Sequence, residues 1–177
     1  MNRRTLLQSL MAMVALPMVP GCSRASSRTA TATTGAGAAV KRLDRPESYW
    51  RPLVSAAAYR VLFEEDTEPP GTSPLDREKR EGTFVCAACR LPLFESAAKY
   101  DSGTGWPSFT QPIAGHIGTK KDYKLVWPRT EYHCARCGGH QGHVFDDGPR
   151  PRGERWCNNG LALAFIPRGQ ALPALRG

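Results

Sequence analysis

A strand-like run leads into a pair of cysteines at Thr83-Phe84-Val85-Cys86-Ala87-Ala88-Cys89, and a second apolar run, Leu91-Pro92-Leu93, follows at once. A second Cys-x-x-Cys unit, Cys134-Ala135-Arg136-Cys137, lies far along the chain. The two-residue gap lets both thiols of a unit face one point across a tight turn, and two such turns can surround a tetrahedral zinc ion. We therefore expect a structural zinc held by Cys86, Cys89, Cys134 and Cys137, which joins two distant loops.

Two other interpretations of these cysteines stay open at this stage. A redox pair of the thioredoxin type belongs on a turn that opens a helix, whereas Cys86 stands between strand-like runs. Two disulfides would suit an exported chain. The paired spacing favours a metal over both alternatives.

The remaining pattern predicts a mainly β fold. The runs Thr83 to Val85, Tyr123 to Trp127 and Leu161 to Ile166 resemble strands, and glycine- and proline-rich turns separate them. We expect one small antiparallel β-sheet domain with short helices at its N-terminal edge.

The helical part is predicted from Pro46 to Glu65. Asp44 is positioned to cap its start, and Pro52 should interrupt it. Ser55 should cap a second piece, Ala56 to Phe63.

The first residues have the pattern of a targeting segment. Arg3 and Arg4 precede a short apolar run that ends at Val19-Pro20-Gly21-Cys22. This pattern predicts a signal peptide over residues 1–21 with a lipid on Cys22, and the two arginines also fit a twin-arginine signal. A simple secretory signal with an incidental cysteine is the alternative.

The domain organisation and the charge follow from composition. Residues 22–43 include a long run of small and polar residues and are expected to form a flexible tether, residues 44–168 the domain and residues 169–177 a C-terminal tail. The net charge is +8, but the excess lies in the N-terminal third, and the rest is nearly neutral. A nucleic-acid partner is therefore not expected, because it requires positive charge on the folded face.

Cys157 is the thiol left over from six cysteines once the metal set and Cys22 are assigned. In an extended Arg155-Trp156-Cys157-Asn158-Asn159, the side chains of Arg155, Cys157 and Asn159 share a face. A neighbouring cation lowers the pKa of a thiol, which predicts a reactive cysteine. An inert buried cysteine is the more common alternative.

Two further motifs carry candidate site residues. His140-Gln141-Gly142-His143 follows the second cysteine pair, and the histidines suit proton transfer near Cys157, although a structural role for each stays open. Gly103-Thr104-Gly105-Trp106-Pro107-Ser108-Phe109 is an aromatic turn whose Trp106 and Phe109 could also be plain core residues.

Taken together, the motifs in this order resemble the B-type methionine sulfoxide reductases. The resemblance runs from about Tyr59 to Pro167 and includes Thr67-Glu68-Pro69-Pro70, both cysteine pairs, the aromatic turn, His140 to Gly148 and Arg155 to Asn159. It implies a β-tent-like fold, a zinc site remote from the chemistry, and reduction of the R epimer of methionine sulfoxide, free or within proteins.

The resemblance also implies roles for individual residues. Cys157 matches the nucleophile, and Trp106, with Phe109 in the same motif, matches the wall against which the substrate methyl packs. His140, His143 and Asn159 match the groups that position and protonate the sulfoxide oxygen. Asp147 and Arg155 match supporting residues.

The chain departs from the family pattern at Thr104, where many members carry a resolving cysteine, and beside the nucleophile at Asn158 and Gly160. We therefore expect the oxidised Cys157 to be reduced by an external thiol, either a thioredoxin-like protein or a small thiol. The expected protein is a monomer, exported and anchored through Cys22 to a membrane, on the periplasmic face. A non-catalytic zinc-ribbon-like binding module and a thiol peroxidase are the alternative functions.

Overall fold

A computed structural model of the chain describes residues 40–123 and 127–177. The expected signal peptide and Cys22 lie outside the described residues, as does nearly all of the tether. The described residues belong to the second of two compact units, Gly35–Gly177. Within them, no helix has both the length and the apolar character needed to cross a membrane.

In the described part of the chain, the predicted helical region contains two short helices, largely where the sequence predicts them. A 3-10 helix spans Glu47–Leu53, and the α-helix α1 spans Ala56–Glu64. The Ser55 hydroxyl accepts a hydrogen bond from the Ala58 N–H at 3.1 Å, which confirms the predicted cap. The expected cap at Asp44 is wrong, because the first helix starts after Pro46 without a side-chain cap.

Within the described residues, nine strands form two antiparallel sheets, which confirms the mainly β fold. The strands are β1 (Gly82–Cys86), β2 (Pro92–Glu95), β3 (Lys99–Tyr100), β4 (Ser108–Phe109), β5 (Ile117–Asp122), β6 (Arg129–Cys134), β7 (His140–Phe145), β8 (Arg155–Asn158) and β9 (Leu163–Pro167). Short 3-10 helices lie at Pro74–Arg77, Ser96–Ala98 and Gly160–Ala162. One sheet has the order β2-β1-β9, and the other has the order β3-β4-β8-β7-β6-β5.

The three strand predictions have different outcomes. The run Thr83 to Val85 is confirmed within β1. The run Leu161 to Ile166 is confirmed only from Leu163 onward, because a 3-10 turn precedes β9. Tyr123 and Trp127 lie outside the strands, so the prediction is wrong at both ends of that run, and residues 124–126 fall outside the described residues.

The core joins both sheets to α1. Phe84 of β1, Phe94 of β2 and Phe109 of β4 are fully buried, and the rings of Phe94 and Phe109 stack with centroids 4.1 Å apart. Leu62 of α1 and Tyr132 of β6 belong to the same apolar cluster. Burial of this apolar surface fixes the strands on which the polar residues of the second sheet stand.

The end of the described chain lies against the two cysteine turns. The Arg176 N–H donates to the Cys89 carbonyl at 3.0 Å, and its guanidinium donates to the Leu53 carbonyl at 2.8 Å. Arg136, between the two cysteines of the second pair, donates to the carbonyl of Arg176. The segment that the sequence marks as a tail thus bridges both cysteine turns.

Candidate functional site

The register of the six-stranded sheet places Cys157 in a row of polar side chains. Cys157 of β8 pairs with His143 of β7 on one side and with Ser108 of β4 on the other. The row continues from His143 to Glu131 of β6, and from Ser108 to Tyr100 of β3. Directly opposed residues of an antiparallel ladder project from the same face, so the sheet itself brings the thiol and the imidazole side by side.

A cavity of about 130 Å³ opens beside this row. It contains four of the residues that the sequence singles out: Cys157, His143, Asn159 and Trp106. Its other lining residues are Thr67, Arg129, Gly142, Phe145 and Asn158. The structure thus brings the expected thiol, imidazole, amide and indole to one cavity.

Phe109 and Asp147 are not in the wall of this cavity. Phe109 is fully buried in the stack with Phe94, so the core alternative describes its position. Asp147 lies at the surface and accepts two hydrogen bonds from Arg155, at 2.7 and 3.0 Å. It holds the guanidinium and does not line the cavity.

The environment of Cys157 raises the pKa of its thiol, whereas the sequence predicts a lowered pKa. Arg155 does lie beside the sulfur, and its positive charge and hydrogen bond act to lower the pKa of the thiol. Burial is the larger effect, so the pKa of Cys157 is raised above its ordinary value. The expectation of a net lowered pKa is therefore wrong, because a strand pattern shows the neighbouring cation but not the loss of solvent.

His143 is held by an acid that the sequence did not indicate. Its Nε2 lies 2.9 Å from Oδ2 of Asp122, and the same oxygen accepts a hydrogen bond from Arg129 at 2.7 Å. Burial lowers the pKa of His143, which favours the neutral ring near neutral pH. A carboxylate at Nε2 favours the tautomer that carries its proton there and leaves Nδ1 as an acceptor. Asp122 and Arg129 form the last pair of the β5–β6 ladder, and only the hairpin register places them here.

His140 lies behind His143 and not in the cavity wall. Its side chain is 3% exposed, and its ring centroid is 5.4 Å from that of His143. Its Nδ1 is 3.0 Å from Oε1 of Glu131, although the direction does not meet hydrogen-bond geometry. This position suits support of His143 better than direct contact with a ligand.

Glu68 forms hydrogen bonds that connect the loops around the cavity, a role that no sequence pattern indicated. Its carboxylate accepts the backbone N–H groups of Gly160 at 2.6 Å and Leu161 at 2.9 Å. Its carbonyl accepts the indole N–H of Trp106 at 3.0 Å, and its own N–H donates to Oδ1 of Asn159 at 3.1 Å. One buried residue therefore fixes the positions of both the indole and the amide.

The segment after Cys157 is held by close backbone packing. The Asn159 amide donates to the Gln141 carbonyl at 3.1 Å, and Nδ2 carries a second N–H. Oδ1 of Asn158 accepts a hydrogen bond from the Tyr132 hydroxyl at 2.8 Å. A Cβ at Gly142 would lie 1.9 Å from the Cys157 carbonyl oxygen, so only glycine permits this approach of β7 to β8.

The four cysteines of the two pairs meet in one cluster, as the spacing predicts, and none of them lines this cavity. All four are buried, and their sulfur atoms lie within 4.8 Å of one another. Sγ of Cys86 is 3.7 Å from that of Cys137, and Sγ of Cys89 is 3.5 Å from that of Cys134. A disulfide needs about 2.05 Å, whereas a tetrahedron with metal–sulfur bonds of about 2.3 Å spaces its sulfurs by roughly 3.8 Å. The arrangement fits a metal ion.

Comparison with known proteins gives the same family as the motifs. The chain matches the SelR domain over residues 54–167. It is 48% identical over 125 residues to a peptide methionine sulfoxide reductase MsrB of Bradyrhizobium diazoefficiens, covering 70% of this chain and 90% of that protein. Proteins of the same name from Leptospira interrogans (44% over 124 residues, 70% and 95%) and Methanosarcina barkeri (41% over 128 residues, 72% and 90%) are also similar.

A half-buried thiol opposite a histidine on a β-sheet, together with a separate four-cysteine cluster, indicates an oxidoreductase. The chain belongs to the SelR family, that of the B-type methionine sulfoxide reductases. The resemblance drawn from the motifs is confirmed.

Proposed function

We propose that this chain reduces methionine-R-sulfoxide, in oxidised proteins or as the free amino acid, to methionine, and that Cys157 is the nucleophile. The observation that carries the proposal is the cavity in which the Cys157 thiol, His143 and Trp106 meet. The relatives' names support the reaction class.

The pKa values of two groups describe the resting state of the site. Burial raises the pKa of Cys157 and lowers the pKa of His143. Near neutral pH, both shifts favour the uncharged form, a thiol at Cys157 and a neutral imidazole at His143. The thiol proton passes through the imidazole, directly or by a water, to the sulfoxide oxygen. This one transfer forms the thiolate of Cys157 and makes the sulfoxide sulfur electrophilic. The Asp122 carboxylate at Nε2 stabilises the transient imidazolium.

The chemical step then balances without another reactant. The Cys157 sulfur attacks the electrophilic sulfoxide sulfur, and the sulfur–oxygen bond breaks as the oxygen passes to cysteine. Methionine leaves, reduced by two electrons, and Cys157 becomes a sulfenic acid. Trp106 and Phe145 supply apolar surface for the methyl group, while His143 and Arg129 supply polar groups for the oxygen. Such a division favours one epimer, because exchange of methyl and oxygen would bury the oxygen against the rings.

The test is incubation of the purified chain with separated R and S sulfoxides and excess dithiothreitol. We expect consumption of the R epimer alone and no turnover by Cys157→Ser, because a hydroxyl is a far poorer nucleophile. Absence of turnover by the wild-type chain would instead favour a non-catalytic binding module, and retained turnover by Cys157→Ser would contradict its role as the nucleophile. A thiol that peroxide oxidises faster than methionine sulfoxide does would favour a peroxidase.

We also propose that the four-cysteine cluster binds zinc. Cys86 and Cys89 would hold it with Cys134 and Cys137, since four thiolates are a typical set for a structural zinc. The metal would supply a cross-link between two loops that are distant in sequence. Metal analysis should give one zinc per chain.

Reduction of the sulfenic acid requires a thiol from outside the chain. Thr104 offers only a hydroxyl, which lies 2.9 Å from that of Ser102, and the paired cysteines are occupied if zinc is bound. We propose a thioredoxin-like protein or a small thiol as the reductant.

Export with lipid attachment at Cys22 stays a proposal that rests on the N-terminal sequence, as do the periplasmic location and the monomeric state. Expression in a bacterial host with labelled fatty acid tests the first point.

A further inference from the structure

Arg176, in the tail, is hydrogen-bonded to the turn that carries the first cysteine pair. Its backbone N–H donates to the carbonyl of Cys89 at 3.0 Å. Its guanidinium donates to the carbonyls of Ala87 and Ala88, the two residues between the paired cysteines, at 3.4 and 3.5 Å. The shortest bond of the guanidinium, 2.8 Å, goes to the carbonyl of Leu53. One residue of the tail therefore satisfies three carbonyl groups of the first turn and joins that turn to the helical segment.

The second cysteine pair contacts the tail through Arg136. This residue stands between Cys134 and Cys137, and its guanidinium donates to the carbonyl of Arg176 and, at 3.2 Å, to an oxygen of Gly177. Arg176 thus donates to the first turn and accepts from the second. We call Arg136, Arg176 and Gly177 the tail clamp.

The tail clamp is part of the packed structure. A Cβ at Gly177 would lie 2.7 Å from Cδ1 of Leu43 and 3.1 Å from the ring of Trp50, so the backbone of Gly177 lies directly against both side chains. The N–H of Leu43 donates to the carbonyl of Arg136 at 2.8 Å. The end of the tail is therefore fixed against the same turn that Arg136 occupies.

The tail clamp also brings positive charge to the four-cysteine cluster. Four thiolates outweigh the charge of one zinc ion, so the loaded cluster would be negative. Arg136 and Arg176 contact the backbone of the two turns, and Arg42 adds a third cation. The guanidinium of Arg42 lies against Gly138, the residue after the second pair, where a Cβ would be 2.4 Å from it. Opposite charges at short range stabilise one another most where water is partly excluded.

We propose that the tail clamp retains zinc in the four-cysteine cluster. Its members are positioning residues: they hold both turns in the arrangement that the metal needs and slow the release of the metal. Retention also keeps four thiols bound that would otherwise be open to oxidation. The inference rests on the proposed zinc site, and it gives a role to a segment outside the residues that match the SelR domain.

The experiment measures the transfer of zinc from the purified full chain to excess 4-(2-pyridylazo)resorcinol. The temperature is one at which circular dichroism shows every variant to be folded. The variants are Arg176→Met, Arg136→Met, both together, and Arg176→Lys. Arg168→Met is the matched control, because it removes an arginine from the same end of the chain whose side chain pairs with Glu81 at the surface.

We expect Arg176→Met to release zinc roughly tenfold faster than the wild type, because groups that support metal ligands account for roughly 10–100-fold in metal affinity. The double variant should release zinc about as fast as Arg176→Met alone. Without the Arg176 side chain the tail leaves the first turn, and Arg136 then loses its acceptors, so the two effects do not add. Arg176→Lys should release zinc more slowly than Arg176→Met, since it keeps a charge and a donor. Arg168→Met should behave as the wild type.

Two results would overturn the proposal. One is release from Arg176→Met at the rate of the Arg168→Met control. The other is a double variant whose effect equals the product of the two single effects, because the arginines would then act separately. If Arg176→Met does not fold, Arg136→Met decides alone, and release from it at the wild-type rate would overturn the proposal. A folded wild-type chain that holds no zinc would instead refute the proposed zinc site, whatever its reductase activity.

Discussion

Replacement of Glu68 by glutamine tests whether one buried carboxylate organises the site. The carboxylate of Glu68 is 4% exposed and accepts two backbone N–H groups, at 2.6 and 2.9 Å. Hydrogen bonds to a charged group contribute about 1.5–3 kcal/mol each. Glutamine keeps the shape and one acceptor oxygen, but it turns an N–H group toward a backbone N–H. We therefore expect a loss of about 3 kcal/mol in the free energy of unfolding.

A loss of that size lowers the melting temperature of a domain of this length by roughly 10 °C. Thermal unfolding followed by circular dichroism, together with guanidinium titration, measures it. Activity should fall as well, because Glu68 also binds Trp106 and Asn159 through its backbone. Glu81→Gln is the control, since its ion pair with Arg168 is exposed and such pairs contribute about 0–1 kcal/mol. If Glu68→Gln is no less stable than Glu81→Gln, the reasoning fails.

Three further predictions concern charge, metal and export. Arg155→Leu should raise the pKa of Cys157 further, so that alkylation of the thiol by iodoacetamide moves to higher pH and is about tenfold slower near neutral pH if the pKa rises by about one. Arg155→Lys keeps the positive charge and should leave the pH profile of alkylation close to that of the wild type. Identical pH profiles for Arg155→Leu and the wild type would contradict a role for the charge. Cys134→Ser should lose zinc and unfold, because a four-thiolate zinc contributes roughly 10 kcal/mol or more to folding, and a stable metal-free variant would contradict this; Cys157→Ser, as control, should keep its zinc. Cys22→Ala should abolish incorporation of labelled palmitate, and an unlabelled wild-type chain in the cytoplasm would refute the export proposal.

The sequence predicted the parts of the site that are local in the chain. Cysteine spacing foretold the four-thiol cluster, and the alternation around Cys157 foretold Arg155 beside the sulfur. Ser55 was recognisable as a cap, because a cap depends only on the next turn.

What the sequence missed depends on contacts between distant segments. Asp122 reaches His143 only through the register of three strands, and Glu68 reaches Gly160 only when a loop folds onto the end of β8. The direction in which the pKa of Cys157 moves was missed because it depends on burial, which a strand pattern does not measure. Tyr123 and Trp127 look like strand residues by composition, yet they extend beyond the last paired residues of the hairpin.

The most direct test of the central claim is a single turnover of the wild-type chain with one equivalent of methionine-R-sulfoxide and no reductant. Mass spectrometry with a sulfenic acid trap should find up to one methionine released per chain, a matching sulfenic acid on Cys157, and zinc still bound. A disulfide between Cys157 and one of the paired cysteines with zinc released, or methionine formed while Cys157 stays unmodified, would contradict the account.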